Sequence, residues 1–252
     1  MPNKKKTGTK EVKTRTTKVQ ACTNKRQALS QLRRKKWDIK FRSDNQKLFY
    51  DTMDKRSITL CTGPAGTGKS FISIFYALQA LADKKNNYDG IILCRPLIPI
   101  DNESIGYLPG ELENKVDPYM MPYWQAIEKL VGKQIMNILI ESEVIKVIPL
   151  AFFRGLTLES KIVLYDEAQN STSTAMKSFL TRIGDGSKMV VMGDIDQTDR
   201  KKGRNGLEDA IDRLYEVYNI GITRFTYNDI VRHELIGTIL SKYEEVNNYG
   251  RS

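Results

Sequence analysis

The chain is poor in the residues that acid–base and metal chemistry most often uses. It has one histidine, His233, which excludes a histidine-based triad and any multi-histidine metal site. Its three cysteines, Cys22, Cys61 and Cys94, stand at no metal-ligand spacing. So sparse and odd a set argues against a disulfide framework and for a reducing compartment, by default the cytoplasm. There is no run of about eighteen apolar residues, so no membrane span is expected. The basic N-terminus lacks the apolar stretch of a secretory signal, and no internal repeat is visible. What remains is 40% apolar and 28% charged over 252 residues. That is an ordinary globular composition, with room for one substantial domain or one domain and a tail.

The net charge of +10 is unevenly placed. Residues 1–42 hold fifteen lysines and arginines against two acids, Glu11 and Asp38, leaving 25 basic and 28 acidic residues elsewhere. A nearly neutral body with a basic arm points to a polyanionic partner, nucleic acid first; a merely solubilising tail is the alternative. Residues 1–20 read as disordered in isolation. The stretch Lys25–Lys40, with Ala28, Leu29, Leu32 and Trp37, reads as a basic helix or folded arm. The division expected is an arm at 1–42 and a catalytic domain at 43–252.

From about Ser43 short β-branched runs alternate with helical periods. Strands are expected at Ile58–Thr62, Ile91–Cys94, Val144–Pro149, Lys161–Asp166, Met189–Gly193 and Ile222–Phe225. Helices are expected at Ser70–Ala82, Tyr119–Val131, Thr174–Ile183 and Leu207–Tyr215. This alternation predicts an α/β fold, a mostly parallel sheet with helices on both faces.

Three strand ends carry chemistry. The first leads into Gly63-Pro64-Ala65-Gly66-Thr67-Gly68-Lys69-Ser70, a complete GxxxxGK[ST] phosphate loop between a strand and a helix. Backbone N–H groups at a helix N-terminus bind anions, and glycine lets the backbone close around phosphates. Lys69 is expected on the β- and γ-phosphates and Ser70 on magnesium. The second strand ends in Asp166-Glu167-Ala168-Gln169, where open α/β sheets bind ligands. Asp166 is expected in the magnesium shell, and Glu167 as the base that polarises the attacking water. The third ends in Gly193-Asp194-Ile195-Asp196-Gln197, whose glutamine can bond both γ-phosphate and water. Upstream, Gln46 offers an amide donor and acceptor that suit the adenine edge; an exposed helix glutamine is the alternative.

In this order, the motifs resemble the first RecA-like domain of superfamily 1 helicases. More narrowly, the chain resembles the PhoH-like family. That resemblance rests on Arg95-Pro96, Gly106 to Gly110, Glu113 to Tyr119, Pro149 to Gly155, Asp166 to Asn170, Phe179 to Gly184 and Val231-Arg232-His233. It covers about residues 43–245 and leaves the arm outside. It implies a single RecA-like ATPase domain using ATP and Mg2+, RNA or single-stranded nucleic acid as partner, and homo-oligomeric rings, hexamers foremost. Some relatives fuse this domain to a PIN-type nuclease; residues 1–42 lack the spaced acidic cluster such a nuclease needs, so nuclease activity is not expected of this chain alone. Arg232, after the last core strand, matches the position of the helicases' arginine finger. Arg154, Arg182, Arg200 and Arg204 are alternatives. A neighbouring subunit is expected to close over the nucleotide, as a second RecA-like domain does in helicases. Arg95 falls where helicases meet the nucleic-acid backbone, with a structural salt bridge as the competing role. Tyr119, Tyr123 and Trp124 read as core, and Leu97–Lys115 as a loop over a channel or interface. Two rivals stand beside the ATPase reading: a P-loop kinase of a small metabolite and a nucleotide-gated protein-binding scaffold. Glu167 and Gln197 favour water as acceptor over the kinase.

Overall fold

The computed structural model describes residues 23–96, 112–197 and 205–231, with the backbone alone for 112–119. Arg200, Arg204, Arg232, His233, the Tyr119 side chain and most of Leu97–Lys115 lie outside the described residues.

Six strands form one sheet: β1 (Ile58–Thr62), β2 (Gly90–Cys94), β3 (Ile145–Val147), β4 (Lys161–Tyr165), β5 (Lys188–Gly193) and β6 (Ile220–Arg224). All neighbours are parallel, in the order β3-β2-β4-β5-β1-β6. Each strand expected from the sequence is present within one or two residues, and the α/β, RecA-like architecture with it. The middle strands read ITLCT, GIILC and KIVLY and are buried almost throughout, as a sheet covered on both faces requires. Alternate side chains feed two cores. Cys61, Ile91, Leu93, Ile162, Leu164 and Val190 point into one; Leu60, Ile92, Cys94, Val163, Tyr165 and Val191 point into the other.

The first core is roofed by five helices: α1 (residues 23–34), α2 (Asp44–Lys55), α3 (Lys69–Ala82), α4 (Leu112–Val131) and α5 (Lys133–Glu141). The second is closed by α6 (Ser173–Leu180) and α7 (Gly206–Arg213). Helix α3 is apolar nearly all round because α2 and α4 flank it above the sheet. Helix α5 has no counterpart among the helices expected from the sequence. Helix α1 lies inside the stretch read as an arm, yet Ala28 and Leu32 are fully buried in the first core. Trp37 meets Phe75 of α3 edge-on at 5.8 Å between ring centroids. From residue 23, therefore, the basic N-terminal region is packed against the body, and the division at residue 43 marks where the motifs begin, not where packing begins. The reading of Lys25–Lys40 as a helix or folded arm holds.

Parallel strands place all their C-terminal ends on one edge of the sheet. Chain segments leaving β1, β2, β4, β5 and β6 meet there, and the chemistry-bearing motifs meet with them.

Candidate functional site

The loop after β1 is built for phosphate. Gly63, Gly66 and Gly68 take φ of 146°, 84° and 89°, a region glycine enters without steric cost. At Gly63 a Cβ would also lie 2.5 Å from Phe225 Cβ. Gly68 caps α3 with no side-chain hydrogen bond, and no acidic residue occupies the first turn. The orphan N–H groups of a 14-residue helix, and the positive end of its dipole, therefore face the loop. Lys69 Nζ folds over it and donates to the carbonyls of Gly63 (2.5 Å) and Pro64 (2.8 Å). Thr67 Oγ1 donates to Pro64 O at 2.9 Å and stiffens the same turn.

Gln46, the candidate for the adenine edge, also makes contacts within the protein. It is buried in α2, where Nε2 donates to Thr67 O (2.9 Å) and Oε1 accepts from the Arg42 amide (2.8 Å). The Gln46 amide thus makes one bond at each end within the protein and keeps one donor and one acceptor site. Here Gln46 is a strut that holds the phosphate loop. Neighbouring Asn45 donates to Asp229 Oδ2 at 2.9 Å. Burial works to raise the Asp229 carboxyl, but hydrogen bonds from Ser43, Thr226 and Asn45 outweigh it and hold the group below its ordinary value.

Strand β4 delivers the two carboxylates. Ser70 Oγ donates to Asp166 Oδ2 at 3.0 Å, so a hydroxyl and a carboxylate from two motifs 96 residues apart meet as a pair of hard oxygens. That pair fits magnesium, which takes one or two protein oxygens and completes its shell with water and phosphate. Glu167 sits at φ 53°, left-handed for a non-glycine residue. Its Oε1 accepts from Arg95 at 2.8 Å and its Oε2 from Gln169 Nε2 at 2.7 Å. Of the two roles open for Arg95, the ion pair is the one observed.

The loop after β5 closes the site. Asp194 is buried, and that burial raises its carboxyl above the ordinary range, although the Asp196 amide and the Lys69 ammonium act the other way. Gln169 Oε1 accepts from the Asp194 amide at 3.1 Å, and the Gly193 backbone passes so close to Gln169 that no Cβ would fit. Gln197 is exposed, its amide bonded to Asp194 O at 3.2 Å. After β6, the Val231 amide donates to Gly66 O at 3.0 Å, which ties the residue before Arg232 to the phosphate loop. Arg154 is exposed beyond β3. Arg182 follows α6 and precedes β5, so it lies toward the opposite edge, bonded to Ser178 O at 3.1 Å.

A family model described as PhoH-like protein matches residues 38–244. The chain belongs to the PhoH-like family. It is 41% identical over 216 residues to a PhoH-like protein of Mycobacterium tuberculosis, covering 85% of this chain and 60% of that one. It is 39% identical over 210 residues to a PhoH-like protein of Bacillus subtilis, covering 83% and 65%. Against protein PhoH of Escherichia coli the figures are 37% over 205 residues, 80% and 57%. The chain thus spans about 60% of the length of these relatives. Among solved structures it overlaps the large terminase of a thermophilic bacteriophage in complex with ADP, at TM-score 0.39 and 15% identity, covering 74% and 46%. An overlap that loose says nothing about function.

For a PhoH-like nucleotide site, sequence reading misses two residues. Gln169 belongs to a quoted motif but shows its role only through its two partners. Tyr123, read as core, is fully buried, with its hydroxyl beside the Asp166 carboxylate. Burial first, and then the nearby Asp166 carboxylate, raise it well above the ordinary phenol value. A neutral phenol therefore lies near the Asp166 carboxylate, and a periodic apolar pattern carries no sign of it.

Proposed function

We propose that this PhoH-like chain hydrolyses ATP with magnesium as cofactor, and that it works on RNA or another single-stranded nucleic acid as part of a homo-oligomeric ring, a hexamer by the family resemblance. The observation that carries the first part is the Ser70–Asp166 contact at 3.0 Å beneath the uncapped end of α3, with Glu167 one residue on. Phosphate binding, metal ligation and a base for water then share one sheet edge.

The loop amides and Lys69 hold the triphosphate, with Lys69 exchanging its two carbonyl partners for phosphate oxygens. Ser70 and Asp166 would hold magnesium, which would supply positive charge against the phosphates. Glu167 takes a proton from water as its oxygen bonds to the γ-phosphorus. The bond to the β-phosphate oxygen breaks, ADP and inorganic phosphate leave, and Glu167 returns its proton to solvent. Gln197, exposed at the loop tip, orients the water. A finger arginine, Arg232 being the candidate, adds positive charge worth about 10³–10⁵ in rate. Its supply to a neighbouring subunit's site gives the ring its reason.

The basic N-terminal region supports the nucleic-acid partner, because neutralising phosphates releases counterions whatever the bases are. The test is ADP formation with and without RNA and DNA strands, with mass in solution measured in parallel. Strand-stimulated turnover by a multimer supports the reading. Turnover that requires a small-molecule phosphate acceptor, or none with magnesium and ATP, contradicts it.

A further inference from the structure

Glu167 is gripped at both carboxylate oxygens, and the two grips differ in kind. On one side Gln169 is buried and anchored in turn by the Asp194 amide, so its bond to Glu167 Oε2 is a fixed support. On the other side Arg95 stands at the C-terminal end of β2, and the ion pair is partly open to solvent, with side-chain exposures of 21% and 38%. A guanidinium on Oε1 occupies the oxygen that would receive water's proton. In this arrangement Glu167 is held away from its task.

We propose that Arg95 is a positioning residue that senses the nucleic-acid strand: it exchanges Glu167 for a backbone phosphate and so frees the base for water. This rests on the hydrolysis reading above. The guanidinium fork matches phosphate oxyanions as well as carboxylates, so the exchange keeps Arg95 paired throughout. A solvent-accessible ion pair gives up its partner at small cost. The backbone need not move. The Glu167 turn is pinned by its own amide to Asp166 Oδ1 (3.1 Å) and by the Asn170 amide to Glu167 O (3.0 Å), so release is a side-chain rotation. Binding of a strand at the β2 end and proton transfer at the β4 end are then coupled through one contact of 2.8 Å across adjacent strands.

The experiment measures ADP formation by the full chain, with oligouridylate, oligothymidylate or inorganic phosphate added, for wild type, Arg95→Ala and Arg95→Lys. Wild type should be stimulated at least about five-fold by the strands and not by inorganic phosphate, a size typical of coupling between sites. Arg95→Ala should show raised basal turnover, little further stimulation and an ATP KM near that of wild type. Arg95→Lys should fall between. A basal rate that drops in Arg95→Ala while the stimulation ratio persists overturns the latch and leaves the ATPase reading intact. Stimulation of wild type by inorganic phosphate alone also overturns it, because no strand is then sensed. Wild-type turnover that ignores every strand overturns the latch and the nucleic-acid reading, and absent wild-type turnover overturns all three. Should Arg95→Ala melt early, Arg95→Lys decides: a wild-type ratio refutes the proposal, and a raised basal rate with a reduced ratio upholds it.

Discussion

Two buried lysines sit at opposite edges of the same sheet, and both donate to backbone carbonyls. At the C-terminal edge Lys69 meets the carbonyls of Gly63 and Pro64. At the N-terminal edge Lys188 meets the carbonyls of Met53, Asp54 and Arg56, where α2 ends. The immediate contacts are alike, and what surrounds them is not. Around Lys69 are three positive-φ glycines, an uncapped helix N-terminus and two carboxylates from the strand next but one. Around Lys188 is the negative end of a helix, which an ammonium caps favourably. Burial lowers that ammonium to about 8, with Asp54 opposing. A cleft of about 660 Å³ opens beside it, lined by Arg56, Tyr88, Gly184 and Lys188 among others. A buried lysine or a cavity does not by itself make a site. Convergent helix amides, a metal-fit oxygen pair and a base do.

The comparison is broken most severely at Lys69. Lys69→Ala should lower ATP turnover at least about 10³-fold, far more than a stability cost of about 1–3 kcal/mol, from leaving the buried Gly63 and Pro64 carbonyls without their donor, would explain. Equal turnover in variant and wild type would erase the distinction between the two edges. Next, Glu167→Gln should lower turnover at least about 10²-fold with nucleotide still bound. At the other edge the signs reverse. Lys188→Met should cost about 1–3 kcal/mol in denaturant unfolding, because the buried Met53 carbonyl loses its donor, and turnover per folded molecule should stay unchanged. A loss of activity without a loss of stability would make Lys188 functional.

The smallest effect sharpens the site's cost to the fold. Burial raises the Asp194 carboxyl, so the folded state binds its proton more tightly than the unfolded chain. The stability this gives is present below the unfolded value and is lost as pH rises through the folded one. Asp194→Asn should therefore melt higher than wild type at neutral pH, by about 2 °C, and the difference should close as pH falls below about 4. A difference that widens toward acid pH would mean that Lys69 and the Asp196 amide outweigh burial.

The fold is legible in the sequence because both faces of the sheet are covered. Runs such as Ile58–Cys61 and Ile162–Tyr165 are then near-continuous apolar stretches, which period and turn residues mark clearly. The phosphate loop and Asp166–Glu167 are legible because their chemistry needs particular residue types at particular backbone positions. The contacts of Gln46 are not legible for the opposite reason: its partners are the Thr67 carbonyl and the Arg42 amide, and backbone groups leave no letter in the sequence. The packing of helix α1 is less legible because only Ala28 and Leu32, with Leu29 partly buried, dock it among many lysines and arginines. Arg95 has no single role at the level of sequence, since its pair depends on strands β2 and β4 lying side by side.

The central claim is that the β1 and β4 motifs form one hydrolytic centre. The most direct test is ATP retention and turnover by Glu167→Gln in magnesium, measured by filter retention of labelled nucleotide against ADP formation. The account predicts bound ATP that persists unhydrolysed. Wild-type hydrolysis by that variant, or failure of the wild-type chain to hold ATP at all, would contradict it.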